Sequence, residues 1–256
     1  VIDLHCHLLP GVDDGPPDLD TALELARLQV AAGVETVAVT PHVSPDVPTE
    51  PDAIEHGVAE LTGALTAAGI PLTIATGAEI DVRCALELQD EELRRLALGG
   101  GPWLLVEAPL GRVSVPLELV VGRLLDHGHA VLLAHPERSP AIQRDPALLR
   151  RLVGAGVLTQ LTATSFTGRF GGPVQRFAER LLDEGLVHSV ASDAHDPRRR
   201  TPGMREPLLE AGLGEEAVRL LTETVPAAVL AGDEVPAVGR LTARRRAGLR
   251  RLLSRR

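Results

Sequence analysis

Two histidines separated by one residue, His5 and His7, stand near the start of the chain. Three more recur in compact polar segments: Thr40-Pro41-His42, His135-Pro136-Glu137-Arg138 and Ser192-Asp193-Ala194-His195. Glu79, Glu107 and Asp193 stand in similar settings, at or just past the end of a short apolar run. Imidazole nitrogens mixed with carboxylate oxygens are a donor set for Mn, Zn or Fe, whereas Ca takes oxygen alone and many structural Zn sites use thiolates. Each piece has an ordinary explanation when taken alone. Alternate strand positions face one way whatever they carry, so His5 and His7 need not share a ligand. Glu107 fits a surface carboxylate, Ser192–His195 fits a turn with an Asp cap, and His135-Pro136 fits a loop. Their coincidence in one place is what argues for metal. Five imidazoles and three carboxylates gathered together are hard to satisfy electrostatically without cations. His56, His127, His129 and His188 fall on predicted helices, turns or a strand interior and read as structural.

The elements that must position these groups form a repeated strand–helix unit. Seven apolar runs read as strands: Val1–His5, Val34–Val39, Leu72–Ala75, Trp103–Val106, Ala130–Ala134, Val157–Leu161 and Val187–Ala191. Such continuous runs suit strands buried on both faces of a parallel sheet. Between them lie helix patterns: Asp18 as N-cap of a helix through Ala32 with Gly33 just past its end, then Pro51–Ala68, Glu87–Ala97, Pro116–His127, Pro146–Ala155 and Pro173–Glu184. Pro at a helix start and Gly beyond its end is the expected asymmetry. The alternation predicts one α/β domain over residues 1–239, a closed or nearly closed barrel of the TIM type rather than an open sheet. In such a barrel the strand C-termini converge on one rim, and six of the seven predicted strands deliver a His or carboxylate there.

Composition removes several function classes. Among 256 residues there are 35 acidic against 26 basic, a formal charge of −9, which disfavours nucleic acid as a partner. Aromatics are 2% with no Tyr, so base-stacking platforms are absent and the core must be aliphatic. Every basic residue is Arg. Schiff-base, P-loop and carbamylated-lysine chemistry therefore have no lysine to use, which also removes the amidohydrolases that bridge metals with a carbamate. Two cysteines make no disulfide framework, and the first residues show no basic-then-apolar leader, so a cytoplasmic location is expected.

Ile2-Asp3-Leu4-His5-Cys6-His7, Pro10-Gly11-Val12-Asp13-Asp14-Gly15, Thr40-Pro41-His42, Gly77-Ala78-Glu79, His135-Pro136-Glu137-Arg138 and Ala191-Ser192-Asp193-Ala194-His195 together resemble the polymerase-and-histidinol-phosphatase (PHP) superfamily. Within it the chain is most similar to bacterial tyrosine phosphatases of capsule and exopolysaccharide operons, in order along nearly the whole chain. The resemblance implies a distorted (β/α)7 barrel, three metals, usually manganese, and a phosphotyrosine protein as substrate, a membrane-associated tyrosine autokinase. The count of rim ligands itself predicts two to three ions, manganese before zinc or iron. Carried over by motif, His5, His7, Glu79 and Asp193 would hold one metal, and Glu79 would bridge to a second held by Glu107 and His135. Asp14, His42 and His195 would hold the third. Arg138 and Arg200 match the phosphate-binding arginines, Arg200 within the run Arg198-Arg199-Arg200.

The chemistry agrees with the residues independently. A phosphate monoester needs a nucleophile made at neutral pH, which paired metals supply as a bridging hydroxide, and positive charge at its equatorial oxygens, which arginine forks match. A thiol-based tyrosine phosphatase would need Arg six residues after Cys, but Val12 and Asp90 stand six after Cys6 and Cys84. A PHP-type histidinol-phosphate phosphatase, or a metal-dependent nuclease of related fold, are the alternatives sharing this metal set. Residues 240–256 differ from the rest, with eight Arg and no acid, and Leu241, Leu249, Leu252 and Leu253 could line one side of a basic helix. This tail reads either as a solvated terminal helix or as a contact for anionic membrane or an acidic partner.

Overall fold

The computed structural model describes residues 1–111 and 116–243. Along the chain run β1 (Ile2–Cys6), α1 (Leu19–Ala31), β2 (Thr36–Val39), β3 (His42–Val43), α2 (Pro51–Ala67), β4 (Thr73–Ala75), β5 (Glu79–Asp81) and α3 (Asp90–Arg95). They are followed by β6 (Trp103–Glu107), α4 (Leu117–Asp126), β7 (Ala130–Ala134), α5 (Pro140–Arg144), α6 (Pro146–Gly154), β8 (Leu158–Thr162), α7 (Gly172–Glu184) and β9 (Ser189–Ala191). The helices α8 (Arg205–Glu210), α9 (Glu215–Arg219) and α10 (Val225–Ala231) complete the described chain. Local signals explain the first unit well. Asp18 accepts from the Thr21 backbone N–H (2.9 Å) and caps α1, and Gly33 leaves that helix at φ +82°. The helix expected over Glu87–Ala97 is instead a 3-10 turn at Cys84–Leu86 followed by the short α3. Glu92 reaches back to the Gln89 backbone N–H (2.8 Å), which restarts the helix at Asp90.

Every pairing between the strands named above is parallel, and two of the seven predicted strand positions are split in two. Pro41, with no N–H for a ladder, separates β2 from β3, and Thr76-Gly77-Ala78 separates β4 from β5. A Cβ at Gly77 would lie 2.8 Å from Leu98 Cδ2 and 3.3 Å from the Val39 carbonyl oxygen, so a side chain here would displace Leu98 and crowd the strand break. The lower halves pair in the order β1-β2-β4 and the upper halves in the order β3-β5-β6-β7-β8-β9. Joined through the chain, they occupy seven positions around a ring. The ring closes between β1 and the end of β9: Cys6 bridges Ala194, the His7 N–H donates to the Ala194 carbonyl (2.9 Å), and the Asp193 N–H donates to the His5 carbonyl (2.9 Å). The fold is therefore the expected distorted (β/α)7 barrel, and the strand breaks are its distortion.

Two apolar layers hold it. The larger lies between strands and helices and is built on Leu, Ile, Val and Ala with Phe166 and Phe177, as the shortage of aromatics requires. The smaller fills the barrel interior with Leu4, Ala38, Leu105, Leu132 and Ala134. Val225 and Val229, one helical turn apart on α10, join this layer beside Ile2, Trp103 and Leu158, the first residues of their strands. Thus α10 plugs the end opposite the rim of the strand C-termini. At its C-terminal end the described chain runs past α7, where the Leu241 N–H donates to the Leu182 carbonyl (3.0 Å). Residues 244–256, with most of the basic tail, lie outside the described residues.

His188, ahead of β9, is one of the histidines assigned a structural part. Its Nδ1 accepts from the Thr159 backbone N–H (3.1 Å), and burial pushes its pKa down to about 4. Folding therefore favours the neutral ring. The unfolded chain takes up a proton below the ordinary imidazole value, so this contribution is complete above about pH 6.5 and lost as pH falls toward 4. In denaturant titrations, His188→Gln should reduce the loss of stability between pH 7 and pH 4.5 by about 2–3 kcal/mol. Equal losses in both proteins would remove His188 from the acid limb.

Candidate metal centre

β1 carries His5 and His7 to the rim. Strict alternation breaks here: a register irregularity between Asp3 and Cys6 lets Leu4 pack in the interior layer while the next residue, His5, also faces inward. Cys6 turns away, its Sγ 3.3 Å from Gln29 Nε2 on α1 and 3.6 Å from the Ala194 carbonyl. Burial pushes its thiol pKa well up, with the Asp3 charge adding to the effect, so it is a neutral packing group. The register pairs His42 of β3 directly with Glu79 of β5. Glu107 ends β6, His135 follows β7 at φ +31° and Asp193 follows β9 at φ +53°. Left-handed backbone at two non-glycine residues of one site is the kind of local strain that surrounding structure holds for function.

The side chains meet around Glu79, which is almost wholly buried. Its Oε1 lies 2.6 Å from His135 Nε2, and its Oε2 lies 3.2 Å from His5 Nε2, 3.4 Å from His7 Nε2 and 3.1 Å from His42 Nδ1. Asp193 Oδ1 stands 3.4 Å from His5 Nε2 and 3.7 Å from His7 Nε2. Asp14 Oδ1 faces His195 Nε2 (3.2 Å) and His42 Nε2 (3.5 Å). Four sets of donors have their ligand atoms within 4.8 Å of one another: His5, His7 and Asp193; His5, Glu79 and His135; His42, Glu79 and Glu107; and His7, Asp14, His42 and His195. All nine residues expected as ligands thus converge. Glu107 groups with His42 and Glu79 and is 3.9 Å from His135.

Ring orientation distinguishes this cluster from a hydrogen-bonded core. His5 Nδ1 is 2.9 Å from Gln160 Oε1, His7 Nδ1 is 2.6 Å from Asp13 Oδ2, and His195 Nδ1 is 3.0 Å from the Asp193 carbonyl. In the neutral ring, an Nδ1–H donated to oxygen leaves the opposite Nε2 with a lone pair aimed into the cluster, the arrangement that orients ligating histidines. Glu79 Oε2, Asp193 Oδ1 and His195 Nε2 are buried without a hydrogen-bond partner among the described residues. Buried polar atoms are almost always paired, and here close neighbours are themselves acceptors pointing at a common space. The donor set therefore fits divalent cations bound among the rings.

Charges in the cluster act on one another at close range. Burial opposes ionisation of Glu79, yet the His5 charge and the hydrogen bond to His135 hold its carboxyl well below the usual range. Asp193 is likewise lowered against burial, by His5 and by Arg200. His7 rises to about 10 despite burial because Asp13 and Glu79 favour its cation, whereas burial and the Arg138 charge take His135 down to about 4. Burial and the Glu79 charge raise Glu107 to about 7. Two guanidinium groups border the cluster: Arg138 Nη1 donates to Asp193 Oδ2 (2.5 Å) and Arg200 Nη2 to the same oxygen (2.7 Å). Within the arginine run only Arg200 turns inward, while Arg198 and Arg199 are exposed.

Three positioning residues were not singled out by sequence. Asp13 was visible in the Asp13-Asp14-Gly15 segment, but that it holds His7 and accepts from the His42 backbone N–H (3.0 Å) is tertiary. Gln160 is the amide in a strand otherwise made of Leu and Thr, a signal that was present. Phe170, whose ring lies 4.5 Å from Arg138 Cζ, had none.

Comparison with known proteins agrees with this geometry. The family model for capsular polysaccharide synthesis, CpsB/CapC, matches residues 1–231. The tyrosine-protein phosphatase YwqE of Bacillus subtilis is 36% identical over 226 residues, covering 87% of this chain and 89% of that protein. A putative tyrosine-protein phosphatase CapC of Staphylococcus aureus is 28% identical, covering 78% and 79%. A chain from the crystal structures of YwqE and of Streptococcus pneumoniae CpsB, described as metal-dependent tyrosine phosphatases, superposes with a TM-score of 0.83 at 33% identity, over 95% of this chain and 99% of that one.

Proposed function

The chain belongs to the CpsB/CapC family of capsular polysaccharide synthesis, and from that membership we propose that it is a metal-dependent phosphatase acting on phosphotyrosine in a protein. The observation that carries this is the set of buried, unpartnered donor atoms of Glu79, Asp193 and His195 beside two guanidinium groups. His5, His7, Asp14, His42, Glu79, Glu107, His135, Asp193 and His195 would hold two to three ions, manganese by preference. Bound there, such ions supply a water nucleophile at neutral pH and offset charge on the phosphate.

The chain's own groups do the rest. Asp13 and Gln160 hold the His7 and His5 rings with their Nε2 atoms inward. Arg138 and Arg200 share Asp193 Oδ2 through one N–H each, leaving other donors of each fork for non-bridging phosphate oxygens. Tyrosine's phenol, with a pKa near 10, departs without a dedicated acid. The substrate is a tyrosine autokinase at the membrane, and the protein works from the cytoplasm; among the described residues no helix is long and apolar enough to cross a membrane. Residues 1–239 form the working unit, and the basic 240–256 tail contacts anionic membrane or the kinase.

One sample assayed three ways tests this reading. A strong chelator should abolish hydrolysis of a phosphotyrosine peptide, manganese should restore it, and alkylation, or the change Cys6→Ser with Cys84→Ser, should leave most of it. Survival in chelator with loss on alkylation would overturn the metal mechanism. Faster turnover of histidinol phosphate than of the peptide would favour the alternative substrate.

A further inference from the structure

The rim around the centre is electrically lopsided. On the side of β3 and β5, a groove is lined by Val43, Pro45 and Leu88 together with the acids Glu50, Glu87 and Glu92. On the side of β8 and β9, a narrow cleft leads from Asp193 and Arg200 past Thr162, Thr164 and Phe170 to Arg169, Arg199 and Thr201. Its volume is about 30 Å3, room for one small polar group and none for an aromatic ring.

Arg169 and Arg199 are exposed, and neither guanidinium closes an ion pair with a described carboxylate. The nearby acid is already engaged. Asp196 accepts from the backbone N–H groups of Arg198 (2.8 Å), Arg199 (2.6 Å) and Arg200 (3.0 Å), which fixes the loop that turns Arg200 inward and leaves Arg199 facing the cleft. Two forks with open donors, three threonines and a cleft contiguous with Asp193 make an anion-binding surface on a protein whose net charge is negative.

We propose that Arg169 and Arg199 form a second anion subsite, which binds an acidic group of the substrate chain next to the phosphotyrosine and so sets which tyrosines are chosen. The proposal rests on the phosphatase reading above and adds a specificity to it. The bound group is a carboxylate or a second phosphate ester, since guanidinium forks fit both. The acidic groove across the rim repels the same groups, so an acidic flank is drawn to the arginine side.

The test compares an aryl phosphate with three phosphotyrosine peptides: one neutral beside the phosphotyrosine, one with two Glu there, and one with a second phosphotyrosine. In the manganese-loaded protein at low salt, kcat/KM should favour an acidic peptide over the neutral one by roughly tenfold, fading as salt is added. Non-hydrolysable phosphonate versions should show the same ratio in Kd. In the double variant Arg169→Gln, Arg199→Gln both ratios should fall to within about twofold of unity, with aryl phosphate turnover unchanged. A gain from the second phosphate alone assigns the subsite to phosphate, and equal gains assign it to anions generally. No preference in the intact protein, or a preference that survives the double change, would overturn the subsite. No turnover of any substrate by the intact loaded protein would instead sink the phosphatase reading beneath it.

Discussion

Glu79→Gln is expected to strip metal from the centre and lower kcat on phosphotyrosine by on the order of 10³-fold or more, equivalent to ~4 kcal/mol of transition-state stabilisation. The amide keeps the shape and one acceptor oxygen but removes the negative charge on which His5, His7, His42 and His135 converge. Glu79 belongs to two of the four donor sets, so its loss weakens two positions at once. Metal content per chain, measured on the sample used for kinetics, should fall by at least one equivalent. Full metal occupancy with an unchanged rate would show that Glu79 is a structural acid and that the ions, if any, lie elsewhere.

Arg138→Ala should separate the two halves of the site. The guanidinium touches Asp193 Oδ2 and lies against Phe170, so its removal takes away positive charge without removing a metal donor. Metal content should be retained, and kcat/KM for a phosphotyrosine peptide should fall by roughly 10²-fold, since a charge-assisted contact to phosphate contributes ~2–3 kcal/mol. Arg138→Lys, with charge but no planar fork, should recover only part of the loss. If metal and activity vanish together, Arg138 braces the centre through Asp193 instead of binding phosphate. If the kinetics are unchanged, it lies outside the reaction.

Much of this site was legible in residue order because its donors come from local patterns. An apolar run followed by His, Glu or Asp marks a strand end in any parallel barrel, and seven such runs at βαβ spacing imply the convergence of those ends. The N-cap at Asp18 and the helix exit at Gly33 likewise depend on neighbours a few residues away. The aliphatic character of the core followed from composition alone.

Other features were decided only when distant segments met. Pro41 marks the break in the second strand position locally, but the break in the third depends on packing: a side chain at Gly77 would displace Leu98 and crowd the Val39 carbonyl, and the two breaks set His42 opposite Glu79. Gln160 orients His5 from 155 residues away, and Asp3 ties the β1–β9 seam of the barrel by accepting from Ser192 at a separation of 189. The choice of Arg200 from three consecutive arginines depends on Asp196 gathering their backbone N–H groups and on Asp193 drawing one guanidinium inward. The plug formed by Val225 and Val229 is an ordinary helix face until the barrel interior exists to receive it. Periodicity and caps report what a residue does with its near neighbours along the chain. Orientation of a ring, direction of a guanidinium and closure of a barrel are set by contacts whose partners are far apart in sequence, and those contacts exist only in the folded chain.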